Sequence, residues 1–183
     1  MEPSSIELVG RAIPRVRHRG LVKKEELAYI AGFLDGDGCI MLQLVYRRDY
    51  ILGYQIRASI VFYQKQQNNK YLEWLRSKLK YGYLRDRKDG MSEYTIVGVA
   101  HVSEVLNRLR PYLKLKEKHA KIALKVLGKM PGTGRKMTAE TLLKLSRYVD
   151  MFADLNYSKR RTNVSGKIKA LLISRKLLGS RRD

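Results

Sequence analysis

The chain has 183 residues and one cysteine, with 38 basic against 17 acidic side chains and a formal net charge of +21. A single thiol excludes an internal disulfide or a cysteine-based zinc framework and indicates a reducing compartment. A hydrophobic share of 44% excludes a disordered basic tail, and so large a basic excess calls for a polyanionic partner, nucleic acid ahead of an acidic membrane surface.

Residues 1–20 hold Pro3, Pro14 and several arginines. They read as a basic N-terminal arm, either solvated or laid along DNA. Without an apolar h-region, no secretory signal is expected there. No segment approaches the roughly 18 consecutive apolar residues of a membrane span. Residues 21–183 read as one domain.

Its first helix is expected over Lys23–Leu34, with Glu25 and Glu26 at the positive end of the dipole and Gly36 and Gly38 as terminators. Two stretches of period two follow. Over Cys39–Arg47, Ile40, Leu42 and Leu44 share one face, and Gln43, Val45 and Arg47 the other. Over Gln55–Tyr63, Ile56, Ala58, Ile60 and Phe62 oppose Gln55, Arg57 and Ser59. The intervening Arg48–Tyr54 suits a long hairpin turn.

Asn68–Lys80 has helical spacing, with Leu72, Leu75 and Leu79 aligned. A second strand pair runs from Tyr83 to Arg87 and from Glu93 to Val99, turning at Lys88-Asp89-Gly90. Helices are then expected over Ser103–Leu113, Lys116–Lys129, Thr138–Leu155 and Val164–Leu178, with Pro111 distorting the first and Pro131-Gly132-Thr133-Gly134 a loop. The pattern is α+β: one antiparallel four-stranded sheet backed by helices, with no internal repeat. Its polar face collects Gln43, Arg47, Gln55, Arg57, Ser59, Arg85, Arg87 and Thr95. Such a face is either solvated or made to read DNA, and ordinary solvated faces mix lysine and glutamate. Arginine and glutamine instead carry planar groups that bond bidentately to guanine and adenine edges in the major groove.

The segment Tyr29-Ile30-Ala31-Gly32-Phe33-Leu34-Asp35-Gly36-Asp37-Gly38 resembles the defining motif of the LAGLIDADG homing endonucleases. A calcium loop would need further carboxylates downstream, and Cys39-Ile40-Met41-Leu42 supplies none. Ala28, Ala31, Gly32 and Asp35 recur at i, i+3, i+4 and i+7, one helical stripe of mostly small side chains open to close approach by another helix of the same chain or of a partner. The chain is similar in particular to the homodimeric members encoded in rRNA introns, through Gln64-Lys65, Gly82-Tyr83-Leu84-Arg85-Asp86-Arg87 and Leu113-Lys114-Leu115-Lys116, from about residue 24 to 160.

The resemblance implies an αββαββα fold with a saddle-shaped sheet and additional C-terminal helices. It implies a homodimer that joins its motif helices through Ala28, Ala31, Gly32 and Asp35, and that cuts double-stranded DNA at a long pseudo-palindromic site, leaving 3′ overhangs. Asp37 and the Gly36 carbonyl would hold Mg2+, with Mn2+ or Ca2+ able to occupy the same sites; Asp35 is the alternative ligand. Gln64 and Lys116 would complete the catalytic group. DNA would be read by Gln43, Arg47, Gln55, Arg57, Ser59, Arg85, Arg87, Glu93 and Thr95, with Glu93 either accepting from cytosine or pairing with Arg85 or Arg87. Lys159, Arg160 and Arg161 would hold phosphates. One position departs from the group: where it often has an arginine, this chain has Asn68, with Lys70 as a possible substitute. No small-molecule cofactor and no membrane partner is expected, and the resemblance implies a location in prokaryotic cytoplasm, nucleoid or an organelle matrix. Against the endonuclease stands a non-cleaving relative, an intron RNA maturase or a DNA-binding regulator.

Overall fold

The computed structural model describes residues 22–132, 134–156 and 162–178. The arm over residues 1–20 and the basic Lys159, Arg160 and Arg161 lie outside the described residues. In order the elements are α1 (Lys24–Asp37), β1 (Gly38–Tyr46), β2 (Tyr54–Lys65), α2 (Asn69–Leu79), β3 (Tyr83–Asp86), β4 (Met91–Val97), α3 (Val99–Leu109), α4 (Glu117–Leu127), α5 (Ala139–Asp154) and α6 (Ser165–Ser174). The αββαββα order and the helices after it are as the sequence pattern requires.

The four strands form one antiparallel sheet in the order β1-β2-β4-β3. Alternation puts Ile40, Leu42, Leu44, Ile56, Ala58, Ile60, Phe62, Tyr94 and Ile96 on the inner face, all buried. Against them pack Ile30, Ala31 and Leu34 of α1, Leu72, Leu75 and Leu79 of α2, and Val102, Val105, Leu106 and Leu109 of α3. Phe62 lies between Phe33 and Tyr94, with ring centroids 5.9 Å away on either side. The Tyr94 hydroxyl satisfies itself by donating to the Tyr81 carbonyl, as a buried phenol must.

The helix ends differ from the sequence reading in three places. α1 does not stop at Leu34 but runs through Gly36 to Asp37, because glycine is a poor helix former rather than a barrier once its neighbours are packed. α3 starts at Val99 instead of Ser103, immediately after Gly98 at φ +96°, and Pro111 falls in a 3-10 turn, Arg110–Tyr112, beyond its end. α6 ends at Ser174, four residues short of Leu178.

Gly82 opens β3 at φ +83°, and a Cβ there would stand 2.2 Å from the Thr95 carbonyl oxygen of β4. Both conformation and space therefore demand glycine. Gly82→Ala should destabilise the fold by about 2 kcal/mol or more, read as a lowered denaturation midpoint at an unchanged denaturant slope.

Candidate functional site

The two acidic residues that end α1 have opposite fates. Successive helical positions turn by about 100°, so residues two apart face nearly opposite ways. Asp35 points inward and is buried. Its Oδ2 accepts from the amides of Lys114 (2.6 Å) and Leu115 (3.1 Å), and its Oδ1 from the amide of Lys116 (2.8 Å). It thus saturates the chain that leads into α4. Asp37 points outward and is exposed. Among the described residues no protein group bonds to or pairs with its carboxylate. Carboxylates elsewhere on the strands and hairpin turns are engaged: Asp49 with Arg47, Asp86 with Ser92, Asp89 with Arg87 and Glu93 with Arg85.

Helix passes into strand at Asp37 without a loop. A Cβ on Gly38 would lie 2.9 Å from the Leu34 backbone, so glycine is what lets β1 leave at once. The Lys116 ammonium donates to the Asp35 carbonyl oxygen at 2.5 Å, which seats a cation at the negative end of α1. Gly38 pairs with Phe62, two residues before Gln64, so Gln64 emerges at the same end of the β1–β2 pair as Asp37. The sequence-assigned group of Asp37, Gln64 and Lys116 is therefore gathered around one helix terminus. Among the described residues no three His, Cys, Asp or Glu side chains cluster as a metal site. The unpaired Asp37 and the exposed Gly36 supply two oxygen donors suited to a hard divalent cation, with room left for oxygens from outside the chain.

The proposed pairing stripe needs correction. Ala31 is fully buried and Asp35 nearly so, both turned into the core of the chain, because α1 uses that side to meet α3 and the turn before α4. The exposed ridge is Ala28, Gly32 and Gly36, spaced i, i+4, i+8. A Cβ on Gly32 or Gly36 would meet nothing within 4 Å. Tyr29, 60% exposed, and Leu115, 76% exposed, are large apolar side chains near this helix.

On the outer face of the sheet, Gln43 pairs with Arg57 and Val45 with Gln55 across β1 and β2. Arg47, Arg85 and Arg87 are each held by a carboxylate, at 2.9, 2.9 and 2.7 Å. Glu93 is thus Arg85's partner in the free chain. Ser59 and Thr95, expected to read bases, are buried. Their side of the strand was assigned correctly, but Ser59 lies between Met41 and Val97, and Thr95 between Val61 and Tyr83. Short side chains in the middle of a sheet are overshadowed by such neighbours. The sequence pattern gives the hairpin tip no role: Tyr50 and Ile51 are exposed there, and Arg175, the residue after α6, fixes their carbonyls with bonds of 3.0 and 2.7 Å. The tip's position just past Arg47, on a strand expected to read DNA, was the available signal. Arg175, 124 residues away in the chain, gave none.

The sequence model of the LAGLIDADG endonuclease family matches residues 30–125. This chain belongs to that family. It is 35% identical over 147 residues to DNA endonuclease I-CvuI of Chlorella vulgaris, spanning 80% of this chain and 89% of the relative. It is likewise 35% identical over 151 residues to DNA endonuclease I-CreI of Chlamydomonas reinhardtii, spanning 82% and 91%. A crystal structure of the homing endonuclease I-CvuI in complex with its target, in the presence of calcium, matches with a TM-score of 0.80 at 34% identity, over 85% of this chain and 97% of that one. The archaeal intron-encoded homing endonuclease I-Vdi141I, complexed with DNA, shares the fold at 14% identity, with a TM-score of 0.73 over 84% and 98% of the two chains.

In this LAGLIDADG chain the first aspartate of the motif is thus a structural anchor, and the second an exposed carboxylate with no protein partner among the described residues. Asp35→Ala leaves three amides without their acceptor and should cost about 3 kcal/mol, with Asp35→Asn intermediate. Equilibrium denaturation of both variants measures this.

Proposed function

We propose that the chain is one subunit of a homodimeric, divalent-metal-dependent endonuclease. It cuts both strands of double-stranded DNA at a long, roughly palindromic site and leaves 3′ overhangs. The observation that carries this reading is Asp37, a carboxylate at the end of α1 that has no protein partner among the described residues, in a chain of net charge +21. A pure DNA binder gains nothing from an unpaired anion aimed at a polyanion.

The homodimer is supported by the exposed ridge Ala28-Gly32-Gly36. Helical glycines cost about 1 kcal/mol each relative to alanine, and Gly32 and Gly36 have no neighbour in their own subunit to justify them. Two-fold pairing of such ridges lets helix backbones approach closely and brings both Asp37 side chains to one axis. The exposed Tyr29 and Leu115 extend the apolar part of the contact.

Asp37 and the Gly36 carbonyl would hold a magnesium ion, with phosphate and water completing its shell; when bound, such an ion activates a water and stabilises the leaving 3′ oxygen of the phosphodiester. The remaining work falls to the chain. The Lys116 ammonium, fixed on the Asp35 carbonyl, offsets negative charge that develops on the phosphate. Gln64 orients groups at the same end of the sheet. The outer face of each sheet lies in a major groove, where Gln43, Gln55 and Arg57 meet base edges. Arg47, Arg85 and Arg87 enter with their carboxylates attached. Those pairs hold each guanidinium in one orientation before DNA arrives, and the carboxylate remains able to accept from a cytosine amino group.

Asp37→Asn should lower the cleavage rate in magnesium by about a hundredfold or more while binding to the same duplex in calcium is retained. Tight binding without cutting by the native chain, in magnesium and in manganese, points instead to a regulator or maturase. Gly32→Leu should fold with equal or greater stability, yet sediment as a monomer and lose double-strand cleavage. A Gly32→Leu chain that still sediments as a dimer rules out pairing through this ridge.

A further inference from the structure

Asn68 stands four residues after Gln64, and the structure gives that asparagine a defined task. The Gln64 carboxamide oxygen accepts from two donors, the backbone amide of Lys65 at 3.1 Å and the Asn68 side-chain amide at 3.1 Å. A backbone N–H can only donate, so the oxygen of Gln64 has to face it, and the Asn68 group that meets the same oxygen has to be its NH2. The orientation of both carboxamides follows from the chemistry alone. Among the described residues no acceptor takes the two hydrogens on the Gln64 nitrogen. Gln64 lines a groove of about 390 Å³ together with Tyr29, Phe33, Asn68, Lys70 and Tyr71.

The clamp is itself held. Asn68 ends a 3-10 turn, Gln66–Asn68, that folds back over the end of β2. Gln66 ties this turn to the β3–β4 hairpin: its backbone amide donates to the Gly90 carbonyl at 3.0 Å and its side-chain amide to the Arg87 carbonyl at 3.0 Å. A turn fixed at two points gives Asn68 one position, and Asn68 gives Gln64 one orientation.

We infer that Asn68 is a positioning residue that locks Gln64 as a hydrogen-bond donor toward a phosphate oxygen. This rests on the endonuclease reading above. With its oxygen saturated, Gln64 cannot accept a proton or a hydrogen bond from the attacking water. It contributes by donating to the phosphate, whose negative charge grows along the reaction.

The test is single-turnover cleavage, in magnesium, of a plasmid carrying the chain's own insertion site, together with duplex affinity in calcium. Asn68→Ala should slow cutting about tenfold with affinity nearly unchanged, and the double variant Gln64→Ala, Asn68→Ala should be no slower than Gln64→Ala, since a clamp has nothing to act on once its object is gone. Gln64→Glu, an acceptor with no hydrogens to give, should lose as much as Gln64→Ala. Independently of activity, Gln64→Ala should move the Asn68 side-chain amide resonances of the 15N-labelled native-length chain toward free-asparagine values. Losses that multiply in the double variant, a defect of Asn68→Ala confined to DNA affinity, or a Gln64→Glu chain that cuts at the native rate each overturn the clamp alone. A native chain that cuts no DNA overturns the endonuclease reading and the clamp with it, so the two failures are told apart.

Discussion

The site depends on one buried carboxylate. Asp35 takes three amide hydrogens from Lys114, Leu115 and Lys116, joining the end of α1 to the start of α4. That junction is 79 to 81 residues long in sequence and a hydrogen bond long in space. It fixes which way α1 is rotated, so the residue two further on, Asp37, must face out. It also delivers Lys116 to the Asp35 carbonyl, seating a cation at the C-terminal end of α1. A short acidic motif thereby does two unlike things with two identical side chains, because a helix turns far enough between them to bury one and expose the other.

The outer face of the sheet has its own logic of pairing. Long cationic side chains that read DNA lose conformational entropy on binding unless something holds them beforehand. Here Asp49, Glu93 and Asp89 hold Arg47, Arg85 and Arg87, at the cost of some net positive charge where it would attract phosphate. These pairs are too exposed to add much stability. Their value lies in direction. The middle of the face is low and largely apolar, with Met41, Val61 and Val97 beside the sunken Ser59 and Thr95. Polar reach is concentrated toward Gln43, Arg57 and Gln55 at one end and Arg85 and Glu93 at the other.

Most of the scaffold was legible in the sequence because it is written in periods. Alternation from Ile40 to Leu44 and from Ile56 to Phe62 assigned both the strands and their buried side, and the spacing of Leu72, Leu75 and Leu79 the helix between sheet halves. Legibility failed where a residue's fate is set by something distant. Ala31 and Asp35 share a helical stripe with Gly32, yet the helix is rotated by α3 and the Asp35 junction so that the two face inward. Ser59 and Thr95 have the right parity but sit under cross-strand neighbours whose identity depends on register. Asn68 looked like a missing charge, since its bond to Gln64 depends on a turn that Gln66 pins to a hairpin some twenty residues later. Periodicity shows which side a residue faces. Register and long-range hydrogen bonds decide whether it is reachable.

The exposed ridge of α1 and the charge of the chain pull in opposite directions. In the proposed dimer, joining two subunits along Ala28, Gly32 and Gly36 would bring together two chains of net charge +21 and set two Asp37 carboxylates side by side on the axis. Both repulsions would then need relief from outside the protein. Phosphates of one shared duplex would relieve the first, and divalent cations held between the two acids and that duplex the second. Pairing, DNA binding and metal binding are then linked free energies rather than separate properties. Salt weakens the DNA contribution by counterion competition while it screens the repulsion between subunits, so its two effects on assembly carry opposite signs. The glycines at the ridge make sense in this light: a contact that must overcome like charge on both partners needs the closest backbone approach available, and a single β-carbon at Gly32 or Gly36 would hold the helices apart.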